Sequence, residues 1–330
     1  MKVYVCGSLN YDLVTFTDRI PDAGETYRAN KFETHAGGKG LNQTIAVSKL
    51  LSADQGVKVS MIGHVGDDSF AGELIEILNR NGVDTRLVTA LKGVNTGVAT
   101  IIVEQRTGQN RILISEGANG HTKFDENHLE VMFPPESQGE GPFYVIFQNE
   151  IPGTISAMRW LKQNRPESVI VYNPSPFKDV ERGDWSLVDL LVVNEIEALQ
   201  VLESGFGAAV MAEYKSKINV DFVAGYKEVA INLQSKLISG KSSSFVVITL
   251  GEKGCVFASE ESQKAQFVEA LRVENVIDTT GAGDTFLGGV VSQLCTNHSL
   301  RDSVAFATKA SSLSIQRSGA AESIPVHSEI

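Results

Sequence analysis

Cysteine and positive charge are scarce in this chain, and each scarcity excludes something. The three cysteines, Cys6, Cys255 and Cys295, form no C-x-x-C pair. An odd, scattered set supports neither a disulfide framework nor a zinc knuckle. It fits a reducing compartment, the cytoplasm first and the nucleus as a second setting. The six histidines show no H-x-x-x-H or H-E-x-x-H spacing, so a helical zinc-hydrolase site is excluded. Lys plus Arg is 29 against 40 for Asp plus Glu, a net charge of −11. So acidic a chain lacks the basic footprint of a nucleic-acid or anionic-membrane binder. Any polyphosphate it holds must be met by locally collected positive potential. No apolar run approaches a membrane span, and Met1 to Gly7 is too short for a signal peptide.

What is present reads as an ordinary globular domain, with 42% hydrophobic and 21% charged residues over 330 positions. Lys2 to Gly7 predicts a buried first strand and Leu41 to Leu51 a helix. Val57 to Gly63 predicts a second core strand. Asp68 can cap a helix whose Phe70, Leu74, Ile77 and Leu78 share one face, with Asn81-Gly82 as its stop. From Phe143 onward strands (Phe143–Gln148, Val169–Tyr172, Leu190–Val193, Phe245–Leu250) alternate with helices, and Gly283 to Ile315 is nearly all helix. Alternation of this kind implies a doubly wound, mainly parallel α/β sheet with helices on both faces. Two polar stretches, within about 13–36 and 96–116, stand outside that pattern. Asp18 to Ala36 predicts hairpin strands, and Gly97–Glu104 with Arg111–Ser115 a hairpin turned at Thr107 to Asn110. Together they predict a small β-sheet lid on one domain spanning 1–330. Segments 133–142 and 204–221 read as insertions.

Three motifs carry chemistry. In Asp278-Thr279-Thr280-Gly281-Ala282-Gly283-Asp284, a strand-like Val276-Ile277 leads in and a long helix follows. Gly-Ala-Gly at a helix start leaves backbone amides free to bind an anion. Asp284, set beside that anion, suits a general base for a hydroxyl attacking a phosphate; its structural alternative is stabilisation of its own helix terminus. In Ala36-Gly37-Gly38-Lys39-Gly40-Leu41-Asn42 the glycines admit a substrate close to the backbone, and Asn42 in the first helical turn can bond a polyol; an ordinary loop entering a helix is the alternative. Gly7-Ser8-Leu9-Asn10-Tyr11-Asp12 can aim Asn10 and Asp12 into one cleft, or merely turn. Two further patterns fail. Gly240-Lys241-Ser242 has Ser235 where a Walker A loop needs glycine, and Gly38-x-Gly40-x-x-Gln43 lacks the third glycine of a dinucleotide fingerprint.

On these residues the chain resembles the ribokinase-type (PfkB) carbohydrate kinases from end to end. Gly37 to Asn42 is similar to the family's first signature and Asp278 to Asp284 to its second. Lys39, with Thr96 to Ala99, Glu116 to Asn119 and Asn173 to Pro176, is similar to the branch acting on ribose. The resemblance implies ATP-dependent phosphorylation of D-ribose at O5, with Mg²⁺ carried by ATP and K⁺ as activator. It implies a sugar pocket of Asn10, Asp12, Gly38, Lys39, Gly40, Asn42 and Glu150. Asp284 is then the base, with the amides of Ala282, Gly283 and Asp284 as an anion hole after Gly281. The implied ATP site comprises Asn194, Thr249, Leu250, Gly251, Gly254, Gly283, Asp284 and Thr308. Asn194 and Glu197 are implied to associate with Mg²⁺, although N-x-x-E also reads as a plain helix start. Asp278, Thr280, Ser314, Arg317, Gly319 and Ser323 are implied to surround a monovalent cation, and the lid strands to pair two copies into a homodimer. Deoxyribose or a related sugar is the alternative substrate, and a non-catalytic sugar sensor on the same fold the alternative class.

Overall fold

The computed structural model describes all residues except 108, 136–141, 239–243 and 261, and the side chain of 263. The Gly240-Lys241-Ser242 pattern therefore lies outside the described residues, as does most of 133–142. In chain order the strands are β1 (Lys2–Cys6), β2 (Asn10–Thr17), β3 (Lys31–Gly37), β4 (Lys58–Val65), β5 (Asp84–Ala90), β6 (Gly97–Glu104), β7 (Gln109–Ser115), β8 (Tyr144–Phe147), β9 (Val169–Tyr172), β10 (Leu190–Asn194), β11 (Phe245–Thr249), β12 (Gly254–Ser259) and β13 (Ser262–Glu269). The helices are α1 (Lys39–Leu50), α2 (Ser69–Arg80), α3 (Glu126–Met132), α4 (Thr154–Asn164), α5 (Glu195–Phe206), α6 (Ala208–Val220), α7 (Phe222–Lys236), α8 (Ala282–Leu294) and α9 (Leu300–Ser314).

Nine strands form one sheet in the order β13-β12-β11-β10-β9-β8-β1-β4-β5. The run from β11 to β5 is parallel, and β12 and β13 close one edge antiparallel. Side chains alternate across a strand, so this sheet separates two cores. Tyr4, Cys6, Val145 and Phe147 pack with α4, α5 and α7 on one face. Val3, Val5 and Ile146 pack with α1, α2, α8 and α9 on the other. The chain leaves β1 toward β4 and β5 on one side, whereas β8 lies on the other. The carboxyl ends of β1 and β8 thus flank the crevice where ligands enter open α/β sheets. All three cysteines are free and buried in these cores. Among the described residues no helix is long and apolar enough to cross a membrane.

The second sheet, β3-β2-β6-β7, is separate. Its first strand is Asn10–Thr17, not the stretch from Asp18 that polarity suggested; 18–30 is the connection to β3. Leu13 to Thr17 is a run of apolar, β-branched and aromatic residues, and through Phe16 it continues the ladder with β3 that begins at Asn10. The 96–116 hairpin is present, with β7 beginning at Gln109 rather than Arg111. Asp68 caps α2 as expected, accepting from the Ala71 amide at 3.1 Å. The 204–221 insertion is the helix α6. Val276 and Ile277 do not form a strand. The amides of Ile277 and Asp278 bond instead to the Ile315 carbonyl at the end of α9 (2.8 and 3.2 Å), and both side chains are exposed.

Candidate active site

The glycine-rich entry to α1 lies directly on the turn after β1. Leu41 N donates to Ser8 O at 3.0 Å. A Cβ on Gly40 would stand 2.5 Å from Ser8 N, and one on Gly38, whose φ is +90°, 2.9 Å from both Asn10 N and Ser8 O. Only glycine fits this approach, which brings Asn10, Asp12, Lys39 and Asn42 to one rim. Asn10 and Asp12, two apart on β2, share a face. Asn119 fixes the first, donating to Asn10 Oδ1 at 2.7 Å while exchanging bonds with the Leu9 backbone. Between them Tyr11 faces away, stacked on Phe70 and donating to Glu73 at 2.6 Å. Gly37 leaves room for the Asp12 carboxyl, whose Oδ2 lies 2.3 Å from where a Cβ would be.

Glu150, just past β8, closes the rim. Its Oε2 accepts from the Lys39 amide at 2.9 Å and from the Ser8 hydroxyl. Burial, and then the neighbouring Glu150 charge, push the Asp12 carboxyl up to about 6. His35 opposes this shift and Glu322 adds to it. Burial would draw the Lys39 ammonium down, but the carboxylates of Asp284, Glu150 and Glu197 outweigh it and hold the group above its ordinary value. In an acidic chain, this is the local positive charge that a polyphosphate site requires.

Asp284 is buried in the first turn of α8. Its Oδ2 accepts from Asn42 Nδ2 at 3.1 Å and its Oδ1 from Gln43 Nε2 at 2.9 Å. The oxygen of Asn42 is buried without a partner. Gly281, at φ +73°, turns the chain into the helix, whose first internal bond runs from Thr285 N to Gly281 O at 2.8 Å. The amides of Gly283 and Asp284 stand ahead of that bond at the positive end of the helix dipole. The Ala282 amide, counted with them from sequence, already donates to Thr279 O at 3.2 Å. Of the three amides expected from sequence to face an anion, the first is thus used by the turn that places Gly281.

The remaining residues fall on the same carboxyl edge. Asn194 ends β10 and forms a reciprocal cap with Glu197: Asn194 Oδ1 accepts from Glu197 N at 2.8 Å, and Glu197 Oε2 from Asn194 N at 3.0 Å. The plain helix-start reading thus describes the local bonding, while Glu197 also acts electrostatically on Lys39. Thr249, at the end of β11, pairs with Asn194 across the sheet. Leu250, Gly251 (φ +55°) and Gly254 (φ +114°) form the tight turn into β12. Thr308 on α9 lies next to that turn, its hydroxyl 3.9 Å from Cys255 Sγ and bonded to Val304 O at 2.8 Å.

Of the six residues expected to surround a cation, Asp278 ties Thr280 to Gly319. Asp278 accepts from Thr280 N at 2.9 Å and from Gly319 N at 3.0 Å. Burial would raise its carboxyl, but the Thr280 hydroxyl and these two amides hold it below the usual range. Ser314 and Ser323 are buried. The Arg317 guanidinium is turned away into an ion pair with Glu329, so a carbonyl, not a cation, is what Arg317 can offer.

Sequence reasoning missed Gln43, Gln148 and Asn173 as site residues. Gln43 is fully buried between Asp284 and the sheet. The signal was available: two consecutive amides, Asn42 and Gln43, stand in the first turns of a helix whose later buried positions, Ile45, Ala46, Val47 and Leu50, are apolar.

Comparison with known proteins follows this geometry. The pfkB family carbohydrate kinase model matches residues 1–327. A ribokinase of Schizosaccharomyces pombe is 37% identical over 98% of this chain and 95% of its own length. Among solved structures, ribokinase from Cryptococcus neoformans var. grubii in complex with ADP superimposes with a TM-score of 0.81 at 28% identity, covering 99% of this chain and 98% of that one. Arabidopsis thaliana ribokinase complexed with ribose and ATP gives 0.75 at 25% identity, covering 99% and 96%.

Proposed function

The chain belongs to the pfkB family of carbohydrate kinases, and from that premise we propose that it transfers the γ-phosphoryl group of ATP to O5 of D-ribose, giving D-ribose 5-phosphate and ADP. It is an ATP-dependent sugar kinase by family and by its relatives; ribose and the residue roles are the further step. One observation carries them. The amide of Asn42 places its nitrogen on Asp284 and leaves its oxygen buried and unpartnered. A buried acceptor beside a carboxylate calls for a hydroxyl donor, and a sugar hydroxymethyl supplies one.

In this reading Asn10, Asp12, Gly38, Lys39, Gly40 and Glu150 hold the sugar under the four-stranded sheet, which acts as a lid on a single functional unit. Asp284 receives the proton of the attacking O5 as the bond to phosphorus forms. The amides of Gly283 and Asp284 and the Lys39 ammonium meet the charge on the transferring group. ATP lies along Asn194, Thr249 to Gly254 and Thr308. Mg²⁺ riding on ATP would offset charge on the β- and γ-phosphates. Glu197, one of whose carboxylate oxygens is free of the Asn194 bond, suits a water-mediated contact with it. A sugar sensor would need no carboxylate at the positive end of α8, and the presence of Asp284 there favours catalysis. The cytoplasm suits three free, buried thiols.

A coupled assay of ADP release over D-ribose, 2-deoxyribose, a ketohexose and a nucleoside tests the assignment. Ribose should give the highest kcat/KM. Deoxyribose should fall about tenfold or more below it, because a site built to bond a hydroxyl is left unpaired without one. Equal kcat/KM for the two pentoses would remove the ribose reading and leave the kinase reading standing.

An ionised Asp278 flanked by buried loop residues fits a monovalent cation held mostly by carbonyl oxygens. Asp278, Thr280, Ser314, Arg317, Gly319 and Ser323 would hold K⁺, which would add fixed positive field behind the α8 terminus. Activity in potassium should exceed that in sodium at matched ionic strength about fivefold or more, the lower end of usual coupling between sites. Equal rates would argue against this cation site.

A homodimer is part of the same proposal. β7 is a sheet edge exposed along its whole length, and Ile112, Leu113 and Ile114 lie 52–68% open on it. Such an edge invites a second copy. Light scattering should report a dimer for the parent and a monomer for Leu113→Lys; a parent that stays monomeric at high concentration would contradict the pairing.

A further inference from the structure

Beneath the rim a line of side-chain amides, Gln43 and Gln148 buried and Asn173 half-buried, runs from the main sheet to Asp284. Asn173 Nδ2, just past β9, donates to the Val192 carbonyl of β10 at 2.9 Å. Asn173 Oδ1 accepts from Gln43 Nε2 at 3.2 Å, and the same nitrogen donates to Asp284 Oδ1 at 2.9 Å. Gln43 Oε1 accepts from Gln148 Nε2 at 2.7 Å, at the end of β8.

The direction of each bond follows from the one before it. Val192 O can only accept, so Asn173 must turn its NH₂ toward it. Asn173 therefore presents its oxygen to Gln43, which must answer with NH₂. The second hydrogen of that NH₂ reaches Asp284. A flipped Gln43 would set its oxygen against both the Asn173 oxygen and the carboxylate, and in a buried site that arrangement is costly. Two strand ends thereby determine that Asp284 meets a donor on Oδ1, while Asn42 holds Oδ2.

We propose that Gln43 is a positioning residue for Asp284, with Asn173 setting the polarity of its amide and Gln148 donating to its oxygen. The inference rests on Asp284 being the base of the proposed reaction. Gln43 lies behind the carboxylate, away from the Asn42 oxygen that awaits a hydroxyl. It acts by holding one carboxylate orientation, so that the oxygen facing the attacking hydroxyl stays in place. Lys39, on the entry to α1, is the charged group facing Asp284; Glu150 and Glu197 face Lys39 in turn. All three stay unchanged in the variants below.

The test is kcat at saturating ribose and Mg-ATP, measured together with the KM of each substrate. It compares the parent with Gln43→Met, which keeps length and volume but loses the NH₂. Gln43→Met should lower kcat at neutral pH about 10- to 100-fold, the scale of a misplaced reacting group. Both KM values should stay within about threefold, since binding groups are untouched. Asn173→Leu, which frees the Gln43 amide to turn, should lower kcat in the same way by less, again with both KM values held. A Gln43→Met enzyme with the parent's kcat overturns the proposal, as does one whose loss lies in KM alone. Should Gln43→Met not fold, Asn173→Leu decides by the same two readouts. Failure of the underlying reading would look different: the parent would phosphorylate no sugar, or Asp284→Asn would keep its rate.

Discussion

Asp284→Asn should leave a folded protein that still binds ribose and ATP but turns over about 10²- to 10⁴-fold more slowly, the range expected when a general base is removed. The carboxylate is buried at the positive end of α8, with two amide donors on its two oxygens. Nothing in that arrangement needs a negative charge for folding, because an amide can fill the same volume. The new NH₂ would face a donor, and Asn42 can answer by turning over its own amide, whose oxygen is otherwise unpartnered. The loss should therefore fall on kcat, where a base acts, rather than on uniform binding. Steady-state kinetics with both substrates varied, alongside circular dichroism to verify the fold, decide the matter. A variant with near-parental kcat would show that Asp284 only stabilises its helix.

The main sheet was legible because it is written in apolar runs. Val169–Tyr172 and Leu190–Val193 form strands as read, since a parallel strand buried on both faces leaves little choice of state. The lid was legible only in part. Its pattern is half polar, so the first strand was sought in the polar residues from Asp18 rather than in Leu13 to Thr17. Val276 and Ile277 differ for the opposite reason: β-branched residues suggest a strand, but the amides of Ile277 and Asp278 are taken by the Ile315 carbonyl at the end of α9. At the site the glycines were readable as points of close approach, although what closes on Gly38 and Gly40 is the backbone of Ser8 and Asn10 and not the substrate expected there. The amide line behind Asp284 was not readable. Gln43, Gln148 and Asn173 are far apart in sequence, and only the sheet order places β8 and β9 beside α1. Hydrogen-bond polarity between such residues is a property of the fold, not of spacing.

Asp12→Asn should weaken ribose binding while raising thermal stability, a combination that a folding defect cannot produce. Asp12 is the carboxyl that burial and Glu150 push up to about 6. Its folded-state value lies above the ordinary one, so its contribution favours folding most at low pH and is lost as pH rises through about 6. At neutral pH the native state thus holds this charge at a cost, and a neutral amide relieves it. The melting temperature of Asp12→Asn should therefore exceed that of the parent at neutral pH. Sugar hydroxyls donating to the carboxylate favour the charged form, so ribose should bind most tightly above about pH 6 and lose affinity as the pH falls through that value. Replacing the charged acceptor should cost about 1–3 kcal/mol, or about 5- to 150-fold in affinity. Below pH 6 parent and variant should converge, because both then present a neutral group. Calorimetric titration of ribose without ATP, on each side of that pH, measures this directly, with ATP affinity as the control. A parent whose ribose affinity does not change across the interval would place Asp12 outside the sugar pocket, as would a variant that loses ribose and ATP binding equally.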